Sequence, residues 1–332
     1  MNRTAIPWTL TIILAIWVFG LEQFSENKEE FDPTFEFYDT TTVKVQVWGD
    51  LADTAVFVDG QYNNILEGRR QFVTAQERGG FHVLTFQVNS PRQALIYVND
   101  NPVEVFLIPG DTSLTVRVYW PQGGDAIDSV SFEGQTANIC RYYEEKEHRF
   151  HEVNIRTARH ILSPEDFSRY AFKLDSAVAR ELLLVSEQEV AGLLPSWFAM
   201  YEKNEILYHR AYLKLTTAYN RDVPQDLLDP VLLNNQRSVF SYYYYLYLDS
   251  YFATSSGIPK GTRGEKAHLR KLHLADSLLD GEARDVYLTR IIFSTIRQQE
   301  SQEASALLDE FKSSFSSPRY RRFLEKQIEE AG

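Results

Sequence analysis

The hydrophobic period of the chain changes once, at Gly134, and that change constrains the fold more than any other feature. Before Gly134, apolar residues recur at every second position. Leu114, Val116, Val118 and Trp120 alternate with Thr115, Arg117 and Tyr119. Successive side chains of a strand point to opposite faces, so one face of such a run is buried and the other is wet. After Gly134, apolar residues recur three and four apart, which is the spacing of one helix face. The pattern predicts an α+β protein: an N-terminal antiparallel β-sandwich over 41–134 followed by an irregular α-helical bundle over 135–332.

Eight strands are predicted, over 41–48, 54–58, 71–75, 81–88, 94–98, 103–108, 113–120 and 129–132. Short strands with regular turns suit a sandwich. Asp59 with Gly60 reads as a hairpin turn. Pro109, Gly110 and Asp111 form the structural turn that anchors the reading. Pro pre-sets φ, Gly permits a positive φ, and Asp can bond its own backbone. These residues predict an antiparallel hairpin joining 103–108 to 113–120. No helical pattern separates the strands, which argues against a parallel α/β sheet.

Helices are predicted over 137–161, from Pro164 to near Gly192, and over 195–219, 226–252, 265–279, 283–299, 301–313 and 319–330. Ser163, Pro164, Glu165 and Asp166 carry helix-start chemistry: an N-cap hydroxyl, Pro at the first position and acids in the first turn. The helical segments share no fixed period, so they read as a bundle and not as repeats.

Charge and composition narrow the function classes. The 332 residues have a formal net charge of −12, which leaves no basic stripe for nucleic acid. No run of Lys and Arg would hold an anionic membrane surface. A single Cys excludes an intrachain disulfide and a thiolate zinc site. Arg3 followed by the apolar run from Ile6 to Leu21 reads as a signal peptide or membrane anchor over 1–21, with a buried helix as the remaining reading. The first two place the bulk of the chain in the periplasm or cell envelope, with membrane contact through this segment alone. Residues 22–40 are acidic and aperiodic and read as a linker.

Several short motifs carry a family resemblance. They are Val45-Gln46-Val47-Trp48-Gly49, Val105-Phe106-Leu107-Ile108-Pro109-Gly110-Asp111 with Leu114, and Phe132-Glu133-Gly134 followed by Asn138. In their order they resemble the N-terminal β-domain and helical region of thioredoxin-family proteins of the TlpA type from Bacteroidetes cell envelopes. The resemblance implies an exported accessory module. It also implies a C-terminal thioredoxin domain with a Cys-x-x-Cys, which this sequence lacks. No redox residue can be carried over.

Candidate side chains are few. Cys140, near a helix start, reads as a buried packing residue. Glu144, Glu147, His148, His151 and Glu152 share a predicted helix, and some fall on one face. The neighbouring Arg141, Lys146 and Arg149 make this a solvated, ion-paired face, so no metal and no cofactor is expected. Tyr242, Tyr243, Tyr244, Tyr245, Tyr247 and Tyr251 are the most unusual run. Four consecutive Tyr cover every side of a helix, so they read as packing with a possible partner-docking surface. No catalytic motif is complete. The expected function is a non-catalytic binding module whose partner is another envelope protein. The alternatives are a thiol-disulfide oxidoreductase whose thioredoxin domain is missing or separately encoded, and a glycan-binding envelope protein.

Overall fold

The computed structural model describes residues 39–49, 56–61, 65–66, 72–124, 126–150, 164–217, 232–256, 265–298 and 300–331. The signal or anchor reading of 1–21, nearly all of the linker, and His151 and Glu152 lie outside the described residues. No helix among the described residues is long and apolar enough to cross a membrane.

Nine strands form two sheets among the described residues. They are β1 (Asp39–Trp48), β2 (Val56–Gln61), β3 (Phe72–Thr74), β4 (Gln76–Arg78), β5 (Phe81–Val88), β6 (Arg92–Val98), β7 (Asn101–Leu107), β8 (Thr115–Tyr119) and β9 (Ser129–Glu133). One sheet runs β4-β5-β1-β8-β9 and the other β3-β2-β6-β7. Alternation decides what each sheet buries. Val43, Val45, Leu84, Phe86, Val116 and Val118 from the first sheet are in the core, as are Ala94, Ile96, Val98, Val103 and Val105 from the second.

The expected hairpin is corrected. The turn itself forms: Gly110 has φ +80°, and the Asp111 N–H donates to the Ile108 carbonyl at 3.1 Å. Asp111 Oδ1 accepts from the Ser113 N–H at 2.7 Å, the local bond that favours Asp in turns. Yet β7 and β8 do not pair. β7 lies beside β6 in the four-stranded sheet, whereas β8 lies beside β1 and parallel to it, from Lys44↔Thr115 to Trp48↔Tyr119. The turn carries the chain from one sheet to the other. Turn chemistry fixes the local backbone path; the partner of each strand depends on which unpaired edge and buried face remain. The parallel pair needs no helical crossover, because the four-stranded sheet lies between β1 and β8 in the sequence.

Two smaller corrections concern glycines. Asp59 and Gly60 lie inside β2, where the register against β6 shifts between Val58 and Gln61, the signature of a bulge. The strand missed by periodicity is β4, which is closed onto β5 by Gly79 and Gly80.

The Pro109-Gly110-Asp111 turn and the Gly134 exit meet at one place, beside the start of β1. The Thr42 N–H donates to the Asp111 carbonyl at 2.9 Å, and Thr41 Oγ1 donates to the Ile108 carbonyl at 2.8 Å. Across the sheet-to-helix junction, the Gln135 N–H donates to Ser113 Oγ at 2.9 Å. Gly134 has φ +110°, and a Cβ there would lie 2.5 Å from the Ser113 carbonyl oxygen. Only glycine lets the chain turn out of β9 so close to this turn.

The register makes a testable distinction. Val116 is fully buried, while Thr115 lies on the outer face and is half-buried. Val116→Ala is expected to cost about 2 kcal/mol through lost burial and the residual cavity. Thr115→Ala is expected to cost less than about 0.5 kcal/mol. Thermal unfolding of the pair checks the register. Equal losses would mean that β8 is displaced by one residue.

Eight α-helices follow among the described residues: α1 (Ala137–Phe150), α2 (Pro164–Val190), α3 (Ser196–Thr217), α4 (Tyr242–Ser256), α5 (Glu265–Leu278), α6 (Gly281–Arg297), α7 (Ser301–Phe311) and α8 (Pro318–Ala331). The helix expected over 226–252 is corrected. Within the described residues it starts at Tyr242, preceded by turns and a short 3-10 helix, Gln236–Ser238. Ser241 starts it as an N-cap, its Oγ accepting the Tyr244 N–H at 3.1 Å.

Helices cover the outer face of β7. Phe106 points away from the sandwich interior and stacks on Tyr143 at 5.8 Å between ring centroids; it meets Phe198 edge-on at 5.2 Å. β7 is an edge strand, and its exposed backbone needs partners. Cys140 supplies one: the Phe106 N–H donates to its Sγ at 3.3 Å. The core is therefore continuous from the sandwich into α1 and α3.

Candidate functional site

The open face of the five-stranded sheet is the strongest candidate for a binding surface. Its residues are the polar halves of the alternating strands. Strand register sets them in rows. Gln76, Val83, Lys44, Thr115 and Glu133 lie side by side across all five strands. In the next row Arg78 sits opposite Phe81, and Gln46 opposite Arg117 and Ser131. Part of these rows lines a depression of about 470 Å³, where Lys44, Arg78 and Arg117 stand beside Phe81, Val83, Thr115 and Glu133.

The electrostatics of the depression oppose those of the whole chain. Three cations and one carboxylate line it, on a protein whose net charge is −12. Arg117 pairs with Glu133 and also donates to Gln46 Oε1 at 3.2 Å. The Glu133 hydrogen bond holds the guanidinium above its ordinary pKa. Arg78 donates to Gln76. Neither Lys44 nor Arg78 forms an ion pair among the described residues. Periodicity marks Lys44 and Arg117 as outward-facing, but it does not show that they share a face. That follows from the parallel β1–β8 pairing.

A second cluster, at the seam between β7 and the helices, is built differently. Glu202 on α3 is buried and accepts three hydrogen bonds: from Tyr142 Oη at 3.1 Å, Tyr143 Oη at 2.7 Å and Lys146 Nζ at 2.7 Å. Lys146 also pairs with Glu181 on α2 at 2.9 Å. One carboxylate thus ties α1 to α3, and one ammonium ties both to α2. Although burial opposes its charge, these two carboxylates hold the Lys146 ammonium above its ordinary pKa. Burial, reinforced by Glu147, pushes the Glu104 carboxyl on β7 up to about 7. Burial also lowers His209, which stacks on Tyr243 at 4.0 Å, to about 4. Deeper in the helices, Asp249 accepts from Tyr287 Oη at 2.6 Å and pairs with Lys271 and Arg290. Arg290 in turn donates to the Ile65 carbonyl at 2.7 Å. Both clusters join elements that are distant in sequence.

The expected docking tyrosines separate into two groups. Tyr244, Tyr245 and Tyr247 are fully buried, so they offer nothing to a partner. Their depth is possible because hydroxyls find acceptors: Tyr244 donates to the Leu233 carbonyl, and Tyr245 to the Val239 carbonyl at 3.0 Å. These bonds fasten the segment before α4 onto the helix. Tyr242, Tyr243 and Tyr251 are half-buried. Burial pushes the Cys140 thiol up to about 12, far from a reactive thiolate. Among the described residues, no group of His, Cys, Asp and Glu is arranged to hold a metal ion. Pro109, Gly110 and Asp111 stand where the chain crosses between sheets.

The chain matches no protein-family model, and no curated protein matches it in sequence.

Proposed function

We propose that this chain is a non-catalytic binding module of the cell envelope, similar in role to the N-terminal part of TlpA-type thioredoxin-family proteins. One observation carries the reading: the cationic depression on an open sheet face, with Lys44, Arg78 and Arg117 presented to solvent from a rigid sandwich. A site on strands is held in place by its ladder, which suits recognition. The seam cluster supports the same reading, because the Glu202 and Glu181 carboxylates and the Lys146 ammonium are committed to joining α1, α2 and α3. The reading of 1–21 as a signal peptide or membrane anchor supports the envelope, and the Gly49, Pro109-Gly110-Asp111 and Gly134 motifs support the likeness to that family.

Two measurements on the full chain test this. A reporter fused after Gly332 that matures only outside the cytoplasm should be active; activity of a reporter restricted to the cytoplasm would overturn the location. The purified protein should not reduce insulin, since one thiol cannot complete a dithiol cycle. Turnover that vanishes in Cys140→Ser would instead favour the oxidoreductase alternative.

A further inference from the structure

The geometry points to an acidic oligosaccharide, a chain of sugars bearing carboxylates, as the ligand of the five-stranded sheet's open face. The inference deepens the binding-module reading and rests on it. Three features of the depression select this chemistry together. First, the charges demand anions at intervals. Arg78 on β4 and Lys44 on β1 stand two strands apart, and neighbouring strands are about 4.8 Å apart. Arg117 lies diagonally from Lys44 on the adjacent strand, about 7–8 Å away. A ligand crossing the strands therefore meets cations about 7–10 Å apart, the Arg117 charge being shared with its partner Glu133.

Second, the rows between the cations are filled by neutral hydrogen-bonding groups. Thr115 lines the depression, and Gln46, Gln76 and Ser131 lie in the same rows beside it; the two Gln oxygens already accept from Arg117 and Arg78, so their amide N–H groups and the two hydroxyls are what match a sugar's hydroxyls. Third, Phe81 and Val83 give the floor an apolar patch. The C–H face of a pyranose ring can cover such a patch, as apolar surface covers any aromatic side chain. A phosphate polymer would satisfy the cations and leave the apolar floor unused. An extended acidic peptide is better recognised by pairing with a strand edge than by lying across five paired strands.

The test uses the full chain and defined probes in calorimetric titrations. A galacturonate oligomer should bind, with affinity that falls as salt rises, because the cations are exposed. Lys44→Gln and Arg78→Gln should each weaken binding about tenfold, and Phe81→Ala should weaken it severalfold, with unchanged unfolding temperatures. Lys312→Gln, a surface cation on α7's flank, should bind as the parent does. The fully methyl-esterified oligomer should bind at least tenfold more weakly. Equal binding of the neutral ester would overturn the proposal. So would equal binding of polyphosphate or a polyglutamate peptide, which would mark the face as a general anion surface or a peptide site. Absence of galacturonate binding would also overturn it; the reporter result would then still decide the envelope reading on its own.

Discussion

Glu202→Ala is expected to destabilise the protein by about 2–6 kcal/mol, the cost of leaving two buried hydroxyls without their acceptor. The carboxylate is 2% exposed and holds three donors at once. Its removal leaves Tyr142 Oη and Tyr143 Oη without their acceptor in a dry place, and each buried orphan costs about 1–3 kcal/mol. Lys146 keeps Glu181, so its charge is not stranded. Glu202→Gln should cost less than Glu202→Ala, because an amide oxygen still accepts from a tyrosine. Tyr142→Phe alone should cost about 1 kcal/mol. Denaturant unfolding of the three variants orders them. A loss below about 1 kcal/mol for Glu202→Ala would mean that the seam is held by its aromatic packing and not by the network.

The same network explains what the sequence could and could not reveal. Strand positions were legible because burial on one face forces alternation: Val43, Val45, Val116 and Val118 all lie inside as their spacing requires. A helix start is legible where its chemistry is written plainly, as at Pro164. Strand partners were not. Pro109, Gly110 and Asp111 specify a turn of the right geometry, but a turn of that geometry serves a hairpin and a sheet crossing equally well. That ambiguity hid the candidate site, since a β7–β8 hairpin would have placed Arg117 and Lys44 in different sheets. The start of α4 was hidden for a related reason. Ser241 caps it, but Ser alone among apolar and aromatic neighbours is a weak signal. The four consecutive tyrosines that follow cover every side of a helix, so spacing does not say which are inside; the carbonyls of Leu233 and Val239, which accept from Tyr244 and Tyr245, favour the burial of those two. Glu202 and Lys146 are far apart in sequence, and no spacing rule joins them.

Glu205 lies one turn from Glu202 on α3, and its environment makes the opposite prediction. It too is buried, but its Oε1 has no hydrogen-bond partner among the described residues. Burial pushes its carboxyl from an ordinary 4.5 up to about 8. The Ser241 hydroxyl opposes this shift, Glu202 reinforces it, and the backbone N–H groups of Tyr243 and Tyr242 at the start of α4 oppose it again. The folded protein therefore keeps a proton that the unfolded chain releases above about pH 4.5. The stability linked to that proton is fully present below pH 4.5 and is lost as pH rises through about 8. At about 1.4 kcal/mol per pH unit the loss is on the order of 5 kcal/mol. Glu205→Gln replaces the carboxyl by a group that never ionises. The variant should match the parent near pH 5 and exceed its stability by a few kcal/mol at pH 9, with a flatter profile between. Glu104, raised to about 7, adds a smaller loss of the same sign, so some slope should persist in Glu205→Gln and shrink further when Glu104→Gln is added. Denaturant unfolding from pH 5 to 9 separates the two. If Glu205→Gln and the parent lose stability in parallel across that range, Glu205 is ionised in the folded protein. The first turn of α4 must then supply more stabilisation to its carboxylate than burial removes.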